Sequence, residues 1–376
     1  MIPKTISDVT PDWLGDVLGA SVLQVTATQI GQGIGLMGDI YRVVIEYADS
    51  TDILPGSVVV KLPSSFEENR AHGIAFGMFE SEVRFYDELS SEASVGIPRV
   101  YLATIDPGTA DFVIVMEDLS HLTMVDQSVG MSLDQARAAV EVLAQIHAVW
   151  WDRVKTPELE WIPTMFGRRI ELVDEMLDQI FPVFASRFAE SLPEGGIEVY
   201  ERFSGNFQKV NKALAMRSPW TLAHQDYRVE NLLFASADSP ATRGVVVLDW
   251  QGIGRGPGAY DLAYLLGGSM DTSLRRANEE HLLGTYHDKL LDAGISNSGI
   301  SNSGISNSGI SNYSVDQLWD DYGLAHLMGG LATAMVAGST MDLSNDRGTR
   351  LIASMVERHV TAALDHDGLE RLAAVV

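Results

Sequence analysis

Asp226 and Asn231 stand five residues apart in the run His224-Gln225-Asp226-Tyr227-Arg228-Val229-Glu230-Asn231, and eighteen residues after Asn231 an aspartate, Asp249, closes the apolar run Val245-Val246-Val247-Leu248. An Asp and an Asn on one loop, followed by an Asp at the end of a β-type run, are the side chains needed to deprotonate a hydroxyl and to hold Mg²⁺ on a nucleotide's phosphates. A phosphoryl group in transfer is anionic and loosely bonded. Catalysis is then mainly positioning plus positive charge, supplied as Mg²⁺ on oxygen ligands. In that chemistry Asp226 accepts the proton of the acceptor hydroxyl, and Asn231 and Asp249 ligate the metal. Taken singly, each residue has a commoner fate as a turn former or helix cap, so the weight lies on the combination.

The segment resembles the aminoglycoside phosphotransferase and choline-kinase-like superfamily, the small-molecule relatives of protein kinases, whose members carry His-x-Asp-x-x-x-x-Asn and then an apolar strand ending in Asp. The likeness runs on through Gly256-Pro257-Gly258-Ala259-Tyr260-Asp261-Leu262-Ala263-Tyr264-Leu265-Leu266, which is similar to the family's helix after the metal loop. It implies an α+β, two-lobed, protein-kinase-like fold. An N-terminal antiparallel sheet lobe with one main helix, 1–118, would bind the nucleotide, and a larger, mainly helical C-terminal lobe, 119–376, would carry the catalytic loop and the acceptor site. Asp261 reads as a structural carboxylate near a helix N-terminus, able to cap amides and suit the dipole. His224 reads as a brace for the loop. The form Asp226-Tyr227-Arg228 departs from the Asp-x-His common in antibiotic kinases and resembles the branch that includes kinase-like domains of some acyl-CoA dehydrogenases, which turns the expectation away from aminoglycosides. Arg228, two residues after the base, either touches the transferred phosphate or is braced against an acidic neighbour.

The first third of the chain supplies candidates for the nucleotide grip. Gly31-Gln32-Gly33-Ile34-Gly35-Leu36-Met37-Gly38 lies between 22–30 and 40–47, both of which read as strands from their β-branched and alternating residues. Gly33, Gly35 and Gly38 also satisfy G-x-G-x-x-G, but the dinucleotide fingerprint requires a helix directly after the loop, and a strand follows here. The reading is therefore a glycine loop folded over ATP phosphates. The strand 57–61 ends in Lys61, where kinases keep the lysine that pairs with those phosphates. An amphipathic helix over 79–86 offers Glu82 to orient it; Glu80 competes, on another face of that helix. The strand 112–116 then runs into Glu117-Asp118-Leu119, similar to the kinase hinge, where backbone groups read adenine and Glu117 and Leu119 mark only the place.

Composition agrees with this picture. The chain has 376 residues, 46% of them hydrophobic, no cysteine, and a formal net charge of −25 from 26 basic and 51 acidic residues. Such a balance argues against nucleic-acid binding, which needs a basic footprint. It favours a cationic acceptor only through weak steering. No apolar run approaches a membrane span and the start lacks a secretion signal, so the expected location is the cytoplasm. The oligomeric state is left open. Thr10-Pro11-Asp12 predicts a capped helix start. Periodicity predicts helices over 132–151, 168–190, 198–216 and 279–291, one starting near Val315, and a buried helix over 327–337. Trp150, Trp151, Trp161 and Trp250 cannot be divided between pocket and core from sequence.

Two function classes follow. One is an ATP- and Mg²⁺-dependent kinase acting on a small-molecule alcohol: an amino sugar, an amino alcohol, a hydroxy acid or its thioester. The other is a pseudokinase-like nucleotide-binding module that regulates or interacts. The complete set Lys61, Glu82, Asp226, Asn231 and Asp249 argues against the second, because a module that only binds has no need of a base.

One segment stands apart. The five-residue unit Gly-Ile-Ser-Asn-Ser repeats in register from Gly294 to Asn312, a period that suits neither helix nor strand, and its composition is that of an expanded linker insertion. Deleting 294–308, three whole units, should leave melting temperature and turnover nearly unchanged, since loop-closure entropy shifts by only about 0.6 kcal/mol per doubling of length. A large fall in either would identify a packed segment or a lid.

Overall fold

The computed structural model describes all residues except 32–37, 50–52, 236–243, 296–312 and 342–345. Gly33, Gly35 and nearly all of the repeat therefore lie outside the described residues. The chain divides into two compact units. The first is Met1–Thr123 with Val246–Gly252, and the second contains Met124–Phe234 and Ile253–Val376.

The first unit is built on a five-stranded antiparallel sheet. Its strands are β1 (Val22–Ile30), β2 (Gly38–Tyr47), β3 (Ser57–Pro63), β4 (Val100–Ile105) and β5 (Phe112–Glu117), in the order β1-β2-β3-β5-β4. β3 and β5 read as almost unbroken apolar runs because they are interior strands, buried along most of their length. In register, Lys61 stands opposite Ile40 on one side and Ile114 on the other. One core joins Val43, Ile45, Val58, Val60, Leu62, Val113 and Val115 to Leu14 of the helix α1 (Pro11–Leu18). That helix has the expected start: the Thr10 side chain accepts from the Trp13 amide, Pro11 takes the first position, and Gly19, at φ +66°, ends it. After β3 come α2 (Glu67–Ala75) and α3 (Met78–Arg84), the latter continuing as a π-helical turn over Phe85–Leu89. Phe79 of α3 packs on Phe112 of β5, with ring centres 4.9 Å apart. That contact fixes which face of α3 meets the sheet.

The second unit is mainly helical: Leu133–Trp150, Arg168–Phe188, Gly196–Phe203, Phe207–Ala215, Ala259–Ser269, Thr272–Asp292, Val315–Ala325, Gly329–Thr340, Asp346–Asp365 and Gly368–Val375. Ser132 and Gln135 form a reciprocal capping box at the start of Leu133–Trp150. The single helix expected over 198–216 is two helices. Between them lies Gly205 at φ +70°, a backbone conformation that interrupts a right-handed helix. Every residue of Ala259–Ser269 is buried. Gly329–Thr340 is buried along most of its length, and its small residues have a cause: a Cβ on Gly330 would lie 2.3 Å from His359 Nδ1. Among the described residues, no helix is long and apolar enough to cross a membrane.

His359 is buried against Gly268, Gly330 and the Tyr264 ring, and its Nε2 has no hydrogen-bond partner. Burial, helped by Arg358, pushes its pKa down to about 3 from the ordinary 6.5. Between those values the unfolded chain binds the proton and the folded one does not, so stability falls as pH drops from 6.5 towards 3, by about 1.4 kcal/mol per pH unit for this group. His359→Leu should flatten the curve of urea-denaturation stability against pH within that window. An unchanged slope would show that His359 does not set it.

Candidate active site

In the first unit, Lys61 points out of β3 into a pair of carboxylates. Its Nζ lies 2.8 and 2.7 Å from the two oxygens of Glu82 on α3 and 3.0 Å from Oδ1 of Asp249. Lys61 and Glu82 are buried, whereas the Asp249 side chain keeps 28% of its surface exposed. Burial alone would lower the lysine pKa, but the charges of Asp249 and Glu82 outweigh it and drive the ammonium upward. Glu82 is raised to about 6, first by desolvation, against the pull of Lys61, with Asp249 adding like-charge repulsion. Glu80, the competing candidate, faces away and pairs with Arg84 at 3.4 Å on the exposed side of the helix.

Asp249 follows the buried strand Val245–Val247 and sits at φ +66°, with its Oδ2 accepting from Gln251 Nε2 at 3.2 Å. Trp250 stacks on Phe85, just beyond α3, with ring centres 3.9 Å apart and planes 8° from parallel. Trp250 is thus a core residue, one that ties the Asp249 turn to the helix carrying Glu82. Gly38 begins β2 opposite Pro63, and a Cβ there would lie 2.9 Å from Leu62 O and 3.1 Å from Lys61 Cε. Its lack of a side chain makes room for the lysine stem. Glu117 ends β5 with its carboxylate accepting from the Arg99 amide at 2.6 Å, and Leu119 is buried.

In the second unit, the loop His224–Asn231 leaves the strand Thr221–Ala223, which pairs antiparallel with Gly254–Gly256. Asn231 Nδ2 donates to Asp226 twice, to its backbone oxygen at 2.8 Å and to Oδ2 at 2.9 Å. Arg228 Nε lies 3.3 Å from Asp226 Oδ1, and its Nη1 is bonded to the buried Glu230. Arg228 is thus braced by two acidic neighbours.

Below the loop lies Asp261, in the first turn of Ala259–Ser269 and wholly buried. Its carboxylate accepts from the His224 amide at 2.7 Å, the Gln225 amide at 2.9 Å and His147 Nε2 at 3.1 Å, while His147 Nδ1 meets Tyr286 OH at 2.8 Å. The amides that Asp261 holds belong to the loop His224–Asn231 instead of its own helix. His224 Nδ1 accepts from the Asp226 amide at 3.3 Å. Glu230, His147 and Tyr286 were not singled out in the sequence. Glu230, two residues after Arg228, could have been found from its charge; His147 and Tyr286 carry no local sign of their partners.

The structure thus gathers Gly38, Lys61, Glu82 and Asp249 in one unit and Asp226, Arg228 and Asn231 in the other. The oxygens of Asn231 and Asp249 are hard donors of the kind Mg²⁺ takes, and Lys61 is a fitting cation for phosphate.

Comparison with known proteins fits this arrangement. A family model described as ecdysteroid kinase-like matches residues 32–294. An uncharacterized oxidoreductase of Caenorhabditis elegans, dhs-27, is 24% identical over 323 residues, covering 77% of this chain; the match spans 38% of that relative's length. Choline kinase from Cryptosporidium parvum superposes with a TM-score of 0.56 at 9% identity, over 98% of this chain and 95% of the other. The GDP complex of a mutant aminoglycoside 2′-phosphotransferase-IIIa gives 0.52 at 12% identity, over 93% and 94%. These structural likenesses establish the two-lobed kinase-like fold.

Gly38→Ala should cost about 1–3 kcal/mol of stability, because backbone or the lysine stem must move to admit the methyl group. Urea denaturation measures it. A loss below a few tenths would show that β2 and Lys61 give way freely.

Proposed function

The chain belongs to the ecdysteroid kinase-like family, and from that premise we propose that it is a small-molecule kinase with an alcohol acceptor, that Asp226 is the base, that Asn231 and Asp249 hold Mg²⁺, and that Lys61, oriented by Glu82, grips the phosphates of ATP. The observation that carries the reading is the buried Lys61 ammonium, bonded to both oxygens of Glu82 and to Asp249. A buried cation held on one side by a structural carboxylate, and on the other by a partly exposed one, is suited to hand its charge to a phosphate.

Each residue then has a defined task. Asn231 and Arg228 hold the Asp226 carboxylate from two sides, which limits its rotation beside the acceptor hydroxyl. Asp226 takes the hydroxyl proton as the acceptor oxygen bonds to the γ-phosphorus, and the bond to the nucleoside diphosphate breaks. Mg²⁺, when bound, neutralises the charge developing on the phosphate oxygens. Lys61 adds a fixed positive charge to that stabilisation, and Glu82 keeps it from swinging away. Arg228 stays on Asp226 and Glu230 and orients the base. The acceptor classes are an amino sugar, an amino alcohol, a hydroxy acid and a hydroxyacyl thioester, to which the family name adds ecdysteroids.

The test is a screen of these alcohols with Mg·ATP and Mg·GTP, followed by two variants. Asp226→Asn should bind Mg·ATP as the wild type does and lose turnover by about 10²–10⁴-fold. Asp249→Ala should lose the Mg²⁺ dependence of nucleotide affinity seen by calorimetry. Turnover of Asp226→Asn within a few-fold of wild type would reject the base. A wild type inert with every acceptor, yet binding nucleotide, would favour a pseudokinase-like module.

A further inference from the structure

Away from the residues assigned to phosphoryl transfer, the second unit buries a polar knot where Thr272–Asp292, Val315–Ala325 and the end of Asp346–Asp365 come together. Glu279, His326 and His366 are all buried there, and one donor atom from each lies within 4.8 Å of the others. Both ring nitrogens of His326 lack a hydrogen-bond partner, and so does His366 Nε2. Orphaned nitrogens in so closed a place are costly, and a native fold ordinarily satisfies them.

The carboxylate is arranged unevenly. Arg275 Nη1 at 2.6 Å and Tyr322 OH at 3.1 Å both donate to Glu279 Oε2, and His366 Nε2 stands 3.4 Å from the same oxygen, too poorly aimed for a hydrogen bond. Among the described residues, Oε1 receives none of these contacts. Three buried donors this close together, two of them imidazoles with unpaired nitrogens and the third a carboxylate steadied by Arg275 and Tyr322, have the make-up of a metal ligand set with its supporting shell.

We propose that Glu279, His326 and His366 form a buried site for a divalent transition-metal ion of the zinc class, with a fourth position for water. The dimensions fit. A tetrahedral zinc ion with nitrogens at about 2.0–2.1 Å places two ligating imidazole rings with centres on the order of 5 Å apart, and the His326 and His366 centres are 5.0 Å apart. Drawing the donors together from within 4.8 Å takes side-chain shifts of about one ångström. Burial, with the charges of Arg275 and Arg371 nearby, keeps His326 in the neutral form that a metal requires. Arg275 is the opposing charge; it is bonded also to Asp365, which offsets it. Two imidazoles and one carboxylate suit zinc better than the oxygen-preferring Mg²⁺. The ion would tie three helices together, and the proposal stands apart from the phosphotransfer reading.

The test uses tag-free protein stripped with chelator and dialysed against zinc chloride, with bound metal counted by elemental analysis. Wild type and Asp249→Ala should each hold one zinc per chain, which separates this site from the proposed Mg²⁺ position. His326→Gln and His366→Gln should weaken zinc binding by more than about tenfold and lose the zinc-dependent rise in melting temperature. Should either variant fail to fold, zinc-edge X-ray absorption on the wild type decides, with two imidazoles in the shell expected. Substoichiometric zinc, retention by both histidine variants, loss in Asp249→Ala, or a shell without two imidazoles would overturn the site.

Discussion

The buried carboxylate of Asp261 is the constraint on which the loop His224–Asn231, the proposed catalytic loop, depends. It is wholly excluded from solvent, and its hydrogen bonds come from two backbone amides and one imidazole. A buried charge survives only when every available donor is turned towards it. Here that demand fixes the backbone: for His224 and Gln225 to present successive amides to one carboxylate, the chain must turn sharply, and Gln225 adopts φ +65°. Asp226 follows at once, so its direction is set by a residue far along the chain. The same constraint reaches back through His147 to Tyr286, and it leaves no room at Gly258, where a Cβ would lie 2.5 Å from Tyr286 OH and 2.7 Å from His147 Nδ1.

Lys61 presents the opposite case in the first unit, a buried cation instead of a buried anion. Two carboxylates around one ammonium leave the trio with a net negative charge, and the repulsion is visible in Glu82, whose pKa is held up by desolvation and by Asp249. Under the proposed reading that imbalance is useful. Asp249 would hold the metal, whose positive charge the excess negative charge of the trio would favour, and Glu82 would keep Lys61 anchored beside the phosphates. Neither partner is replaceable by a neutral residue without leaving the other buried charge underpaired.

Much of this was legible in the sequence because it is local. The strand over 22–30, the cap at Thr10 and the buried small-residue helix beginning at Gly329 each follow from periodicity and end signals read over a few residues. The contact between Lys61 and Glu82 was legible because each residue type had one strong reason to sit at its strand or helix position, though choosing Glu82 over Glu80 needed the face that Phe79 presents to the sheet. The rest depends on distance along the chain. His147 meets Asp261 across 114 residues, and nothing near either announces the other. Gly38 reads as one of several loop glycines, and only the register of β2 against β3 reveals that it stands over the stem of Lys61. The break at Gly205 was hidden because apolar spacing continues across it, while a single residue at positive φ ends the helix.

Backbone strain follows the same geography. Among the described residues, five other than glycine have positive φ, and two of them, Gln225 and Asp249, adjoin or belong to the proposed chemistry. Left-handed backbone at such residues costs on the order of 1 kcal/mol each, and glycine would relieve it. At Asp249 glycine would remove the carboxylate that reaches Lys61. At Gln225 the side chain packs so closely on the strand Gly254–Gly256 that a Cβ on Gly254 would lie 2.0 Å from its Nε2, so the strained residue also fills the floor of the loop. Both positions keep a locally unfavourable residue because its side chain serves the arrangement around it, and the surrounding contacts, Asp261 beneath one and the Trp250–Phe85 stack beside the other, are what hold that backbone in place.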